Sequence, residues 1–221
     1  MKAKELIAET GGNVIVEATV MMTMIFVFVL GGIDFLFAFY QYNSAAKAVE
    51  LGARIASVWD PVATGLNSLS TAVVTNNTAT AGDEMPSFSV TCNGSTATCT
   101  CTGTCTGVSG YNSAAMNTIV YGRGNNGSCN APTSLYTLGM CSVFFGDTGA
   151  LTPANVIVTY TQTGLGFAGR PGGPVPTITV QLQNVPFKFY FLGSLLKFGN
   201  VTMPPLTTSV TGEYLSSSAP S

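Results

Sequence analysis

The chain has 221 residues, a net charge of −2 and no histidine, and only 8% of its residues are charged. This length provides one domain of ordinary size plus an anchor, and it is too short for two substantial domains. Eight scattered basic residues give no stripe that could neutralise phosphates, which argues against nucleic-acid binding. Because histidine is the commonest general base and metal ligand, we expect a protein that is not an enzyme and holds no cofactor.

The N-terminal part of the chain is a short polar leader followed by a long apolar run. Residues 1–12 form the leader, and residues 14–39 are almost uninterruptedly apolar. The 26 residues of the run, at about 1.5 Å each, exceed the roughly 30 Å hydrocarbon core of a bilayer, so we predict a transmembrane helix there. Lysines before the run, together with acidic residues near its outer end and beyond it, favour a cytoplasmic N-terminus. These acidic residues are Asp34, Glu50 and Asp60.

A cleaved signal peptide is the alternative interpretation of this run. Ala46-Lys47-Ala48 offers the small-x-small pattern of a cleavage site. The run is, however, longer than the roughly 7–15 apolar residues of a signal peptide, and it contains Glu17. Both features favour an anchor that stays in the protein.

Helical periodicity continues beyond the apolar run. Proline is missing from the segment until Pro61, and small or apolar residues recur at steps of three and four, at Ala45, Val49, Gly52, Ala56 and Trp59. We therefore predict one helix over residues 13–60. Its first half suits lipid, and its second half suits packing under a soluble domain.

After the helix the composition turns to Thr, Ser, Asn and Gly, and the periodicity becomes alternating. Alternation predicts β-strands at residues 88–91, 156–161, 177–182 and 207–211. The second and third are joined by a loop rich in glycine and proline, residues 164–176. The predicted fold class is α+β, with a long N-terminal transmembrane α-helix that continues into a soluble antiparallel β-sheet domain over 61–221.

A second apolar stretch, residues 185–199, lies near the C-terminus. It is too short for a second span and contains Lys188 and Lys197. Two interpretations stay open, namely a segment buried in the core and a segment that lies on a partner or on the membrane surface.

All six cysteines lie within residues 92–141, which we predict to be a disulfide-rich loop insertion. An even number of cysteines confined to the exported half indicates a disulfide framework, for which fifteen connectivities are possible. Their spacing matches no CxxC pair, so a metal site is disfavoured. The residues are Cys92, Cys99, Cys101, Cys105, Cys129 and Cys141.

Two short patterns flank the apolar run. Gly12-Asn13-Val14-Ile15-Val16-Glu17 lies at its start, and Gly52-Ala53-Arg54-Ile55-Ala56 follows it. Together they resemble the TadE-like family of minor pilins from tight-adherence pilus systems, and more broadly the type IV pilins and pseudopilins. A weaker match is the C-terminal strand that ends at Gly212-Glu213-Tyr214.

The resemblance implies a role for each of these residues. A prepilin peptidase would cut after Gly12, so that Asn13 becomes the first residue and Glu17 the fifth of the mature chain. Glu17 would then serve helix assembly, whereas the alternative is an acid that merely snorkels to the lipid headgroups. The small-residue pattern implies helix packing at Gly52, Ala53, Arg54 and Ala56.

The same resemblance implies a place in the cell and a set of partners. We expect a single-pass protein of the bacterial inner membrane, with a periplasmic or extracellular C-terminal domain, that takes part in pilus initiation, assembly or adhesion. The expected partners are other pilin subunits, the pilus assembly platform, the prepilin peptidase and membrane lipid. The rival hypothesis is a membrane-tethered adhesion or binding domain that never enters a filament.

Overall fold

The computed structural model describes residues 10–124, 127–132, 134–144, 151–195, 201–213 and 215. Most of the predicted leader, residues 1–9, and Tyr214 of the C-terminal match lie outside this range, and the side chains of residues 10–13 and 194–195 are not described. The helices are α1 Thr10–Val58, α2 Leu69–Thr75, α3 Ser113–Tyr121, α4 Met140–Val143 and α5 Leu192–Leu195. The strands are β1 Phe88–Asn93, β2 Thr98–Gly103, β3 Val156–Thr161, β4 Thr177–Leu182 and β5 Leu206–Thr211.

The chain forms two compact units. The first comprises Met1–Tyr40 and Lys188–Val201, and the second comprises Gln41–Phe187 and Thr202–Ser221. The first unit therefore holds the apolar part of α1 together with most of the second apolar stretch of the sequence.

The second unit is built on a five-stranded antiparallel sheet in the order β2-β1-β3-β4-β5. In β3 and β4 every second side chain is buried, as the period of two of a half-buried strand requires. The register brings Val90, Tyr160 and Ile178 side by side across three strands. The buried side chains of these strands form the apolar face of the sheet.

The C-terminal part of α1 contributes to the same buried core. Ala45, Ala48, Val49, Ala53 and Ala56 are almost completely buried and belong to one cluster with the buried residues of the sheet. Ala45, Val49, Ala53 and Ala56 recur at steps of four, four and three, and Ala48 is three residues after Ala45, which places all of them on one side of the helix. The predicted fold class, a long apolar N-terminal helix followed by an antiparallel sheet, is confirmed.

The cysteine-rich segment is more regular than the loop insertion that we predicted. It contains the strand β2 and the helix α3, which begins at the N-cap Asn112, whose side chain accepts a hydrogen bond from the backbone N–H of Ala115 at 3.1 Å. Strand β2 has no large apolar residue, so its sequence lacks the apolar alternation by which the other strands were predicted. Pairing with β1 supplies the backbone hydrogen bonds that stabilise it.

Three disulfide bonds connect the six cysteines of this segment. Cys92 and Cys99 face each other directly across β1 and β2, so their bond crosses the hairpin. The other two bonds join Cys101 to Cys105 and Cys129 to Cys141. Each bond closes a short piece of chain, with sequence separations of 7, 4 and 12 residues, and none of the six is free.

Candidate membrane anchor and assembly helix

The N-terminal half of α1 exposes its apolar side chains on all sides. Every described side chain from Val14 to Val29 is exposed, and Phe28 reaches 82%. Among the residues that the structure describes, α1 is the one helix that is long and apolar enough to cross a membrane. Since such a surface is stable in lipid and costly in water, α1 is a candidate membrane anchor.

The residues of the predicted cleavage and assembly site lie at the start of α1. Gly12 and Asn13 are in its first turn, and Glu17 follows one turn after Asn13 with its side chain exposed. In a helix, residues four apart lie on the same face. The backbone therefore places Asn13 and Glu17 on one face of α1.

The small-residue pattern lies in the second unit, in the C-terminal half of α1, one side of which is buried. Gly52, Ala53 and Ala56 are buried, whereas the guanidinium of Arg54 is exposed and pairs with Glu50 one turn earlier, at 2.5 Å between nitrogen and oxygen. A Cβ atom built on Gly52 would lie 2.5 Å from the sulfur of Met140. Glycine is thus the residue that lets α4 approach the helix at this point.

Asp34 occupies the centre of a third cluster, in the first unit. Its side chain is fully buried, although it belongs to the apolar part of α1. The carboxylate accepts three backbone hydrogen bonds, at 3.0, 2.9 and 2.6 Å, from the N–H groups of Tyr190, Phe191 and Leu192. These N–H groups lie at the start of the short helix α5, where no intrahelical partner exists for them.

Comparison with known families gives one result. The family model for TadE-like proteins matches residues 12–54. Residues 12–54 are a TadE-like segment. TadE-like proteins are associated with tight-adherence pili, and the match is confined to residues 12–54. No curated protein and no solved structure matches this chain.

The TadE-like segment lies entirely within α1. It begins at Gly12, two residues after the helix starts, and ends at Arg54, four residues before the helix ends. It includes the exposed apolar half, Glu17, Asp34 and most of the small-residue pattern. The sheet and the three disulfide bonds lie outside it.

In the sequence, Asp34 of the TadE-like segment is recognisable only as an acidic residue near the outer end of the span. The structure gives it a partner, because it accepts hydrogen bonds from a segment that follows 156–158 residues later in the chain. A lone acid in an apolar helix is costly unless it is paired, and that cost is the signal from which a partner of Asp34 could have been expected. The identity of the partner was not visible in the sequence.

Proposed function

We propose that the chain is a minor pilin or pseudopilin of a tight-adherence-type pilus, inserted in the inner membrane through α1. The N-terminus would lie in the cytoplasm and the sheet domain in the periplasm or outside the cell. The observation that carries the proposal is the coincidence of three features at one point. The TadE-like match begins at Gly12, the apolar run of α1 begins at Val14, and the acid Glu17 follows within the first turn of that run.

Processing after Gly12 is supported by the residues around it. Gly11 and Gly12 are adjacent in the first turn of α1. Glycine has no side chain that would obstruct the approach of a peptidase to the backbone before the cut. Cleavage there leaves a free amino group on Asn13 at the start of a helix that is ready to assemble.

Assembly is supported by the character of the exposed surface. The apolar side chains of α1 are in contact with lipid while the protein is in the membrane, and in a filament the helices of neighbouring subunits would replace that lipid. An unpaired Glu17 carboxylate would then be stranded in a medium of low dielectric constant. We propose that it pairs with the amino group of Asn13, on its own chain or on a neighbouring subunit.

The second candidate is a membrane-tethered adhesion or binding domain that does not enter a filament. It is favoured by Leu135 and Tyr136, which are 85% and 77% exposed and lie within the stretch closed by the bond between Cys129 and Cys141. Large apolar side chains that are exposed on a braced loop are typical of binding surfaces. In this alternative the leader stays uncleaved.

The deciding experiment is to determine the N-terminal residue of the protein extracted from membranes of cells that express the tight-adherence machinery. Asn13 supports the pilin, Met1 supports the tethered domain, and Val49 would mean that a signal peptidase removed the apolar run. Gly12→Val should leave the precursor at full size. Gly11→Val is the matched control, because it stiffens the same turn yet leaves the residue before the cut unchanged, and it should still be processed.

A further inference from the structure

The segment Lys188–Leu195 packs along α1 in the first unit. A Cβ atom built on Gly31 would lie 3.7 Å from Leu192, the Asp34 carboxylate binds the backbone, and the ring of Phe37 lies 5.3 Å from that of Tyr190 between centroids. Positions 31, 34 and 37 are three residues apart, so they follow one side of the helix. The segment therefore rests on a continuous strip of α1.

The strip lies at the expected outer boundary of the membrane. The 20 residues from Val14 to Ile33, at about 1.5 Å per residue, span about 30 Å, which is the thickness of the hydrocarbon core. Asp34 is the next residue. The contacts with the segment thus coincide with the depth at which acyl chains give way to headgroups.

Aromatic side chains are concentrated at this same level on both pieces of chain. On α1, Phe35, Phe39 and Tyr40 are 71%, 61% and 56% exposed, and on the segment, Tyr190 and Phe191 are 47% and 41% exposed. Tyr40 and Tyr190 each carry a polar hydroxyl on an apolar ring, which is typical of the membrane–water interface, and the phenylalanine rings add apolar surface at the same level. The two pieces together form one aromatic band around the outer end of the candidate span.

The polar groups of the segment are arranged as this location requires. Non-helical backbone is tolerated near the hydrocarbon core only where its N–H groups are satisfied by protein, and Asp34 satisfies three of them. The ammonium group of Lys188 lies 5.3 Å from the centre of the Tyr190 ring. A lysine at this position can extend its ammonium group to the lipid phosphates while its methylene groups stay on the apolar surface.

We propose that Lys188–Leu195 is a second membrane contact, seated in the headgroup region of the outer face and held against α1 by Asp34. The occupant of its exposed aromatic face is lipid. The proposal rests on the part of the proposed function that inserts α1 in the membrane, and it is independent of entry into a filament.

The experiment measures the depth of a tryptophan in the bilayer. Trp59 is the single tryptophan of the chain, so Trp59→Phe gives a background in which Phe191→Trp introduces the only tryptophan, whose emission is excited selectively over that of tyrosine. The purified full chain is reconstituted into phosphatidylcholine vesicles whose bromine atoms lie near the carbonyl end of the acyl chains or near their middle. We expect Phe191→Trp to lose more fluorescence to the shallow bromines than to the deep ones.

Two reference variants separate the possible outcomes. Phe26→Trp, in the centre of the candidate span, should be quenched most by the deep bromines, and Tyr136→Trp reports an exposed ring of the second unit. If Phe26→Trp is not quenched, the anchor and this proposal both fail. The second membrane contact alone is overturned if Phe26→Trp is quenched and Phe191→Trp is not. It is also overturned if Phe191→Trp is quenched only to the extent that Tyr136→Trp is. A blue-shifted Phe191→Trp emission without quenching would place a protein partner there and overturn it equally.

A further variant tests the part played by Asp34. Both carboxylate oxygens are used, Oδ1 by Tyr190 and Oδ2 by Phe191 and Leu192. Asp34→Asn replaces one of them by an NH2 group that cannot accept these hydrogen bonds. The preference of Phe191→Trp for shallow quenching should be lost, while Phe26→Trp in the same background stays unchanged. An unaltered depth profile for Phe191→Trp would show that Asp34 does not hold the segment.

Discussion

The hydroxyl of Tyr160 accepts a hydrogen bond from the backbone N–H of Val62, with 3.0 Å between nitrogen and oxygen, and both residues are fully buried. Tyr160 is in the middle strand of the sheet, and Val62 follows the end of α1. This contact satisfies a backbone donor that emerges from the helix into the core, where water cannot reach it.

Tyr160→Phe removes the acceptor and leaves the N–H of Val62 buried without a partner. We expect the free energy of unfolding of the sheet domain to fall by about 1–3 kcal/mol, which is the usual cost of such an unsatisfied group. Tyr136→Phe removes a hydroxyl from a side chain that is 77% exposed and should change nothing measurable. Chemical denaturation of the full chain in detergent measures both variants, and equal stability of the two would contradict the role of the contact.

Alkaline pH should destabilise the domain through the same residue. Burial raises the pKa of Tyr160 well above its ordinary value of about 10, and the hydrogen bond from Val62 only partly lowers it. The unfolded chain loses this proton from about pH 10 upward while the folded chain keeps it, so stability falls as pH rises above 10, by about 1.4 kcal/mol per pH unit for one such group. Burial also raises the pKa of Tyr111 and Tyr121, which add to the effect.

The control for this pH dependence is again Tyr160→Phe. It should be less stable than the parent at neutral pH, yet it should lose less of its remaining stability between pH 9 and pH 11 in the same denaturation series. Parallel curves for parent and variant would rule out Tyr160 as a source of alkaline unfolding.

Gly52→Ala should destabilise the packing of α4 on α1. Alanine improves helix propensity by about 1 kcal/mol, but its Cβ would lie 2.5 Å from the sulfur of Met140, and overpacking costs about 1–3 kcal/mol. Because methionine can partly move away, we expect a net loss of up to about 2 kcal/mol in thermal or chemical unfolding. Gly32→Ala is the matched control in the same helix, since a Cβ there meets no atom within 4 Å. A Gly52→Ala variant that is more stable than the parent would contradict this prediction, and it would mean that the Met140 side chain moves aside without cost.

The disulfide bonds should contribute unequally. Alkylation of the native protein should label no cysteine before reduction and six after it, as read by mass spectrometry. Replacing Cys129 and Cys141 together by alanine should cost about 3 kcal/mol of unfolding free energy, because this bond closes the longest stretch of chain, whereas replacing Cys101 and Cys105 should cost about 2 kcal/mol. Labelling of the unreduced native protein would contradict the finding that all six cysteines are in disulfide bonds.

Glu17→Gln tests the proposed pairing with the amino group of Asn13. The amide keeps the shape and removes the charge, so insertion should persist while incorporation into filaments falls, since breaking a buried pair costs about 3–5 kcal/mol. Glu17→Asp should be milder. The measurement is the amount of protein recovered with sheared filaments at equal expression, together with the number of pili per cell. Wild-type values for Glu17→Gln would favour the snorkelling alternative, in which a neutral amide is harmless.

The sequence by itself determined the features that repeat locally along the chain. The apolar run, the continuation of α1 to Val58 and four of the strands follow from periods of 3.6 or 2 within short windows. The TadE-like resemblance follows from two short motifs in the same helix. The disulfide framework also followed, because an even number of cysteines was confined to the exported half.

Only the tertiary structure decided what depends on residues far apart in sequence. Asp34 meets a segment 156–158 residues away, Tyr160 meets Val62 across 98 residues, and β2 is a strand because β1 pairs with it. The pairing of the cysteines is of the same kind, since fifteen connectivities satisfy one spacing. Hydrogen bonds and packing of this type depend on how elements distant in sequence are arranged in space. A pattern within a short stretch of sequence does not contain that information.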